Sequence, residues 1–395
     1  MVEGPPVRVL IVDDSAVVRG SLGRMLDAEP DLKVVTTATN GRHAIDAVAA
    51  HAIDVVVLDV EMPEMDGLTA LPLLLKQRPG MRVLMLSAHG GRGADVTVRA
   101  LALGAADFVC KPRAGARGGP ARVLDVHVAE LTQKIRALGR SAQRVAARAE
   151  PPRERVAFAA PVVRSTLPTT TSTTGPAGPA IPVLPPRPAV ALREAAVVPR
   201  SMQVLAIASS TGGPVALAEL LGALPPKLDV PVLVTQHMPP EFTRLLAERL
   251  AVAGRRPCAE ARDGEVLRRG HVYVAPGDHH MLVERRGGEV RVRLTQDRPV
   301  QHCRPAADPM FASIAAAFGP GALAVVLTGM GHDGRDGAAA IVHGGGRVLA
   351  QDEATSVVWG MPGAVAQAGL AAAVLPIPQI ATHVAACCAT RPKLS

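Results

Sequence analysis

Short runs of aliphatic and β-branched residues recur along this chain at spacings that leave room for a helix between them, and the pattern breaks once, around residues 150–200. The first set of runs lies at 7–12, 32–36, 53–58, 82–87 and 107–111, and such alternation predicts a parallel α/β sheet. In 122–138, Leu124, Val128, Leu131, Ile135 and Leu138 share one stripe of a 3.6-residue period, predicting an amphipathic helix that closes this unit. Composition then shifts to Pro, Thr, Ser, Ala and Arg, as expected for a disordered linker. As a flexible coil it would span on the order of 40 Å. Strand signals return at 204–207, 230–235, 271–275, 290–294 and 324–328, predicting a second α/β domain. The expected organisation is a domain at 7–126, a helix and linker at 127–200, and a second domain at 201–390. A chain of 395 residues has the length for two or three such units.

Composition excludes several classes of function. Aromatic residues make up 2% of the chain, too few for a base-stacking platform that binds single strands. The net charge is +8, but residues 113–200 hold 14 Lys and Arg against 5 Asp and Glu, so the excess sits largely in the linker region. A basic excess confined there reads as a solvated segment, and no nucleic-acid partner is expected. Five scattered cysteines match neither a disulfide framework nor a zinc site and fit a reducing compartment. Residues 1–6 lack the pattern of a signal peptide, and no apolar stretch reaches the ~20 residues a membrane span needs. A cytoplasmic protein without membrane insertion is expected.

Parallel strands would bring Asp13 and Asp14 together with Asp59 at the carboxyl edge of the first sheet, where α/β proteins place ligands. Ser87 and Lys111 end the next strands on the same rim. Clustered carboxylates suit a hard Mg²⁺ ion, and a lysine and a hydroxyl suit the oxygens of a phosphoryl group. Asp13-Asp14, the run 59–67 (DVEMPEMDG), Ser87 and Lys111-Pro112 resemble a two-component receiver domain. The resemblance implies a flavodoxin-like doubly wound fold with Asp59 as phosphoacceptor. It further implies Mg²⁺ held by Asp14, Asp59 and the carbonyl of Glu61 with support from Asp13, and a switch formed by Ser87, Lys111 and Phe108.

In the second half, 207–214 (IASSTGGP) follows a strand and enters an Ala/Leu-rich segment, so a serine faces a helix N-terminus able to stabilise an oxyanion or a phosphate. His237 follows the next strand, and a glycine-rich turn at 327–334 presents Asp333. Ser, His and Asp at three strand ends supply a nucleophile, its base and an orienter for that base. Their order along the chain differs from that of α/β-hydrolases.

That order and those motifs, with Asp278, His302, Arg304-Pro305 and the run 351–362 (QDEATSVVWGMP), resemble the chemotaxis methylesterases of the CheB family. The resemblance implies a Rossmann-like α/β catalytic domain with Ser210 as nucleophile, His237 as base and acid, Asp333 as its orienter and Met330 as a backbone oxyanion donor. It implies hydrolysis of glutamate methyl esters on chemoreceptors, deamidation of receptor glutamines, a CheA-type histidine kinase as phosphodonor, and no cofactor in the hydrolase domain. The chain departs from the family pattern at Ala208-Ser209, at His332, at Ala306-Ala307 and in its longer linker. A receiver joined to a DNA-binding output is the rival class, and no recognition-helix signature supports it. A degenerate hydrolase kept as a docking module is a third, opposed by the intact Ser210, His237 and Asp333.

Overall fold

The computed structural model describes residues 4–87, 91–111, 120–149 and 202–389. The linker expected at 150–200 and Pro112 lie outside the described residues, as do the side chains of Leu124 and Val128. In the first domain the elements run β1 (Val7–Val12), α1 (Ala16–Asp27), β2 (Leu32–Ala38), α2 (Gly41–Ala50), β3 (Val55–Asp59), α3 (Gly67–Gln77), β4 (Arg82–Ser87), α4 (Gly91–Ala102), β5 (Asp107–Cys110) and α5 (Pro120–Ala149). The strands form one parallel sheet in the order β2-β1-β3-β4-β5, the flavodoxin-like doubly wound arrangement. Every residue of β3 is buried, as expected of a parallel strand covered by helices on both faces.

Polar side chains start the helices where the sheet edge needs them. Ser15 Oγ accepts from the Val18 N–H, Asn40 Oδ1 from the His43 N–H, and Asp66 Oδ1 from the Thr69 N–H. Leu131, Ile135 and Leu138 of α5 are buried against the sheet, as their stripe predicts. The helix continues to Ala149, eleven residues past its predicted end at Leu138, because the buried face extends through Ser141 and Ala142.

The second domain runs β6 (Val204–Ser209), α6 (Gly213–Ala223), β7 (Val232–Gln236), α7 (Pro240–Gly254), β8 (Cys258–Glu260), β9 (Val272–Val274), β10 (His280–Arg286), β11 (Glu289–Thr295), α8 (Ala307–Phe318), β12 (Ala322–Val326), α9 (Arg335–His343), β13 (Arg347–Gln351), α10 (Met361–Gln367), β14 (Ala373–Leu375) and α11 (Ile377–Ala389). Seven strands are parallel in the order β14-β13-β12-β6-β7-β9-β8, a Rossmann-like sheet. The order turns back at β6, since β7 lies on one side of it and β12 on the other. Such a switch point opens a crevice above the strand ends. The run at 290–294 does not join this sheet, because β11 pairs antiparallel with β10 as a separate hairpin.

The domains meet where β5 faces the turn after β6. The Gly212 N–H donates to the Ala106 carbonyl (2.9 Å), Thr211 Oγ1 donates to Asp107 Oδ2 (2.5 Å), and the rings of Phe108 and Phe242 lie 4.3 Å apart. Arg144 of α5 reaches Glu353 of the second domain at 3.6 Å.

A Cβ on Gly67 would sit 2.0 Å from the Asp59 carbonyl oxygen, a backbone atom that cannot step aside cheaply. Gly67→Ala is expected to destabilise the first domain by about 1–3 kcal/mol. Urea unfolding followed by far-UV circular dichroism measures this, and an unchanged midpoint would refute it.

Candidate functional site

Two polar clusters occupy the carboxyl edges of the two sheets. In the first, Asp13 and Asp59 end neighbouring strands, and Lys111 follows β5. The Lys111 ammonium bridges both carboxylates, at 2.9 Å to Asp13 and 2.8 Å to Asp59. Asp13 also accepts from the Ser15 N–H, and Asp59 from the Val60 N–H. Burial pushes the Asp59 carboxyl above its usual range and the Asp13 charge adds to this, while Lys111 opposes both. Oxygens of Asp13, Asp14 and Asp59 lie within 4.8 Å of one another, with Asp14 exposed at the mouth. This set of hard oxygen donors suits a divalent cation such as Mg²⁺.

Ser87 is buried on the same rim with its Oγ 2.6 Å from Thr97 Oγ1. Glu61 lies exposed in the loop after β3. Phe108 is buried, with Lys134 Nζ 5.5 Å from its ring centroid and donating to its carbonyl at 2.7 Å.

In the second cluster, β6 and β7 place Ser209 directly opposite Gln236, so Ser210 and His237 leave adjacent strand ends together. The Ser210 N–H donates to the Thr328 carbonyl of the neighbouring β12 loop. Ser209 is fully buried and its hydroxyl donates to Gln236 Oε1 at 2.7 Å. Ser210 is half-buried, and among the described residues its hydroxyl has no hydrogen-bond partner. The geometry therefore separates the two adjacent serines: one is a buried bonding group, and the other is open at the crevice.

His237 Nε2 and Asp333 Oδ2 are 2.7 Å apart. Asp333 also accepts from the N–H groups of Ala307 (2.5 Å) and Asp308 (3.0 Å) at the start of α8, and of Gly334 (2.9 Å). Burial alone would raise the Asp333 carboxyl, but His237 and these amides outweigh it and hold the group below its usual range. Burial likewise disfavours a charged His237, yet the bond to Asp333 and the neighbouring Cys303 thiol push its pKa up to about 10. The Asp308 carboxyl is pushed up to about 6 by burial and by the charges of Asp333 and Asp336.

Met330 sits in the loop between β12 and Asp333, and its N–H has no hydrogen-bond partner among the described residues. The run 351–362 braces that loop. The Gly329 N–H donates to the Val358 carbonyl, and the Gly329 carbonyl accepts from Gly360 and Met361. Arg304 pairs with Asp278 at 2.5 Å.

The structure thus brings Ser210, His237, Asp333 and Met330 around one crevice, and Asp13, Asp14, Asp59, Ser87 and Lys111 around another. Sequence reasoning did not single out Gln236, Thr211, Phe242, Cys303 or Asp308 for a role. None of them carries a signal within its own segment, since each takes its part from what the fold sets opposite it.

Family comparison divides the chain in the same way. The CheB methylesterase family matches residues 205–384, and the response regulator receiver domain family matches residues 9–117. The chain is 46% identical over 375 residues to a protein-glutamate methylesterase/protein-glutamine glutaminase of Rhodospirillum centenum, covering 95% of this chain and 92% of that one. It is 46% identical over 381 residues to its counterpart 1 in Paramagnetospirillum magneticum, covering 95% and 94%. The crystal structure of the CheB methylesterase catalytic domain of Thermotoga maritima is 40% identical, with a TM-score of 0.46, covering 47% of this chain and 99% of that one.

A histidine whose folded pKa is raised contributes stability that is fully present below its unfolded value of about 6.5 and is lost as pH rises through the folded value. For His237 that window runs from about 6.5 to about 10. Asp333→Asn is expected to lower the His237 pKa and flatten this part of the stability curve. NMR titration of ¹⁵N-histidine-labelled protein reads it directly, and an unchanged titration would show that Asp333 is not the cause.

Proposed function

Because the chain belongs to the CheB methylesterase family of response regulators, we propose that it is a phosphorylation-regulated serine hydrolase acting on glutamate methyl esters of chemoreceptors. The observation that carries this reading is the open Ser210 hydroxyl beside a His237 that Asp333 holds, on the strand ends of a switch-point crevice. Ser210 attacks the ester carbonyl and His237 takes its proton. The ring then returns that proton to the leaving oxygen, releasing methanol and an acyl-enzyme that water cleaves. In this reading the Met330 N–H, which has no hydrogen-bond partner among the described residues, donates to the oxyanion. Glutamine deamidation uses the same intermediate with ammonia leaving.

His237 must give up its proton before it can act as a base. What supports control by the receiver is the contact beside Ser210, where Thr211 and Gly212 are bonded to Asp107 and Ala106 of the first domain. In the receiver, Asp59 accepts a phosphoryl group from a CheA-type histidine kinase. Asp13, Asp14, Asp59 and the Glu61 carbonyl would hold Mg²⁺, which neutralises phosphoryl charge when bound. Lys111 and Ser87 contact the phosphoryl oxygens, and their movement disturbs Phe108 at the domain contact.

Ser210→Ala is expected to abolish methanol release from methylated receptor fragments, whereas Ser209→Ala keeps more than roughly a tenth of the wild-type rate. The reverse result would assign the nucleophile to Ser209.

Acetyl phosphate with Mg²⁺ is expected to raise methanol release by the full chain but not by Asp59→Asn. Removing residues 1–200 should give activity above the resting full chain and indifferent to the phosphodonor. A folded truncation less active than the resting chain would make the receiver an activator instead.

A further inference from the structure

Gln236 ends β7, is 3% exposed, and its side-chain amide bonds across the two strand ends. Its Oε1 accepts from the Ser209 hydroxyl at 2.7 Å, while its Nε2 donates to the Ser210 carbonyl at 2.9 Å and the His237 carbonyl at 3.3 Å. The amide orientation is fixed by chemistry, since two carbonyl oxygens can only accept and must face the NH₂. A Cβ at Gly213 would lie 2.0 Å from Oε1 and 2.8 Å from the Ser209 Cβ, so bare backbone at the start of α6 leaves the space this bridge occupies.

We propose that Gln236 is a positioning residue that sets the separation of Ser210 from His237, with Ser209 as the hydroxyl that holds its amide in place. This role rests on the hydrolase reading of Ser210 and His237. Strand pairing alone stops at the Ser209–Gln236 register pair and the His237 N–H to Ser209 carbonyl bond. Beyond that point each chain turns away toward its own helix. The Gln236 amide is the group that ties the next residue on each side, and those two residues are the nucleophile and the base. Among the described residues Gln236 bonds to the Ser209 hydroxyl and to two backbone carbonyls, and to neither the Ser210 hydroxyl nor the His237 ring, so its contribution is geometric. A displacement of the order of 1 Å between such groups lowers turnover by roughly a hundredfold. The hydroxyl of Ser209 adds a bond to Oε1 that stops the amide from rotating.

The test uses the full chain with Mg²⁺ and acetyl phosphate, and reads methanol release, labelling of Ser210 by a fluorophosphonate, and the thermal midpoint. Gln236→Leu is expected to reduce kcat and the labelling rate together by roughly 30- to 100-fold with KM within about twofold. Ser209→Ala, which leaves both Nε2 bonds intact, should lose about three- to fivefold, and Gln236→Leu with Ser209→Ala together should be no slower than Gln236→Leu alone.

If Gln236→Leu does not fold, Gln236→Glu carries the test. It keeps an acceptor for Ser209 but turns an oxygen toward two carbonyls, so it should slow labelling as much. Its negative charge beside His237 should also move the acid limb of the pH profile to higher pH. Labelling of the folded variants at the wild-type rate, with only the thermal midpoint lowered, would overturn the positioning role and leave the hydrolase reading standing. Failure of the wild type to label at Ser210 would remove both.

Discussion

A parallel ladder delivers the carboxyl ends of neighbouring strands to one edge, and both polar clusters of this chain are assembled from that consequence. In the first sheet it forces Asp13 and Asp59 against each other in a buried setting, where two negative charges are unstable without a counter-ion. Lys111 supplies the positive charge from the end of β5, two strands away from β3. In the second sheet the same geometry, with β6 between β7 and β12, lets three separate loops contribute Ser210, His237 and Asp333 to one crevice.

The strand β5 joins these two places. Its four residues run from Asp107, which takes the Thr211 hydroxyl, through Phe108, packed on Phe242, to Cys110 beside Lys111. At about 3.3 Å per residue this is a short and rigid connection. Asp107 is shared, since its carboxylate also lies 3.2 Å from Lys134 and accepts from the Phe108 N–H. A change in the charge that Lys111 faces therefore acts on the same strand whose other end holds the turn next to Ser210.

Much of this was legible in the sequence, because parallel strands buried on both faces are written as unbroken apolar runs and their ends as isolated polar residues. The run 82–87 and the run 7–12 match β4 and β1 residue for residue. The short strands β8, Cys258–Glu260, and β14, Ala373–Leu375, left no such trace, since three residues at a sheet edge carry too little pattern. The hairpin of β10 and β11 was half visible: its second strand was read from the residues, but pairing is a property of two segments. The same reason hid Gln236, Thr211 and Phe242. Each is an unremarkable residue in its own segment and takes its part only from what the fold sets opposite it.

The adjacent serines illustrate how far register governs chemistry. Successive residues of a strand point to opposite faces, so Ser209 and Ser210 cannot serve the same purpose at the end of β6. Ser209 still belongs to the ladder, turns inward and finds Gln236. Ser210 is the first residue beyond the ladder and turns toward the crevice as the chain enters the Gly212 turn. His237 stands in the same relation to Gln236 on the neighbouring strand. A slip of one residue in the pairing of β6 with β7 would bury Ser210 and leave His237 facing a different carbonyl. Fixing that register therefore fixes which hydroxyl is buried and which faces the crevice, and the bonds among Ser209, Gln236 and the two carbonyls lie where such a slip would begin.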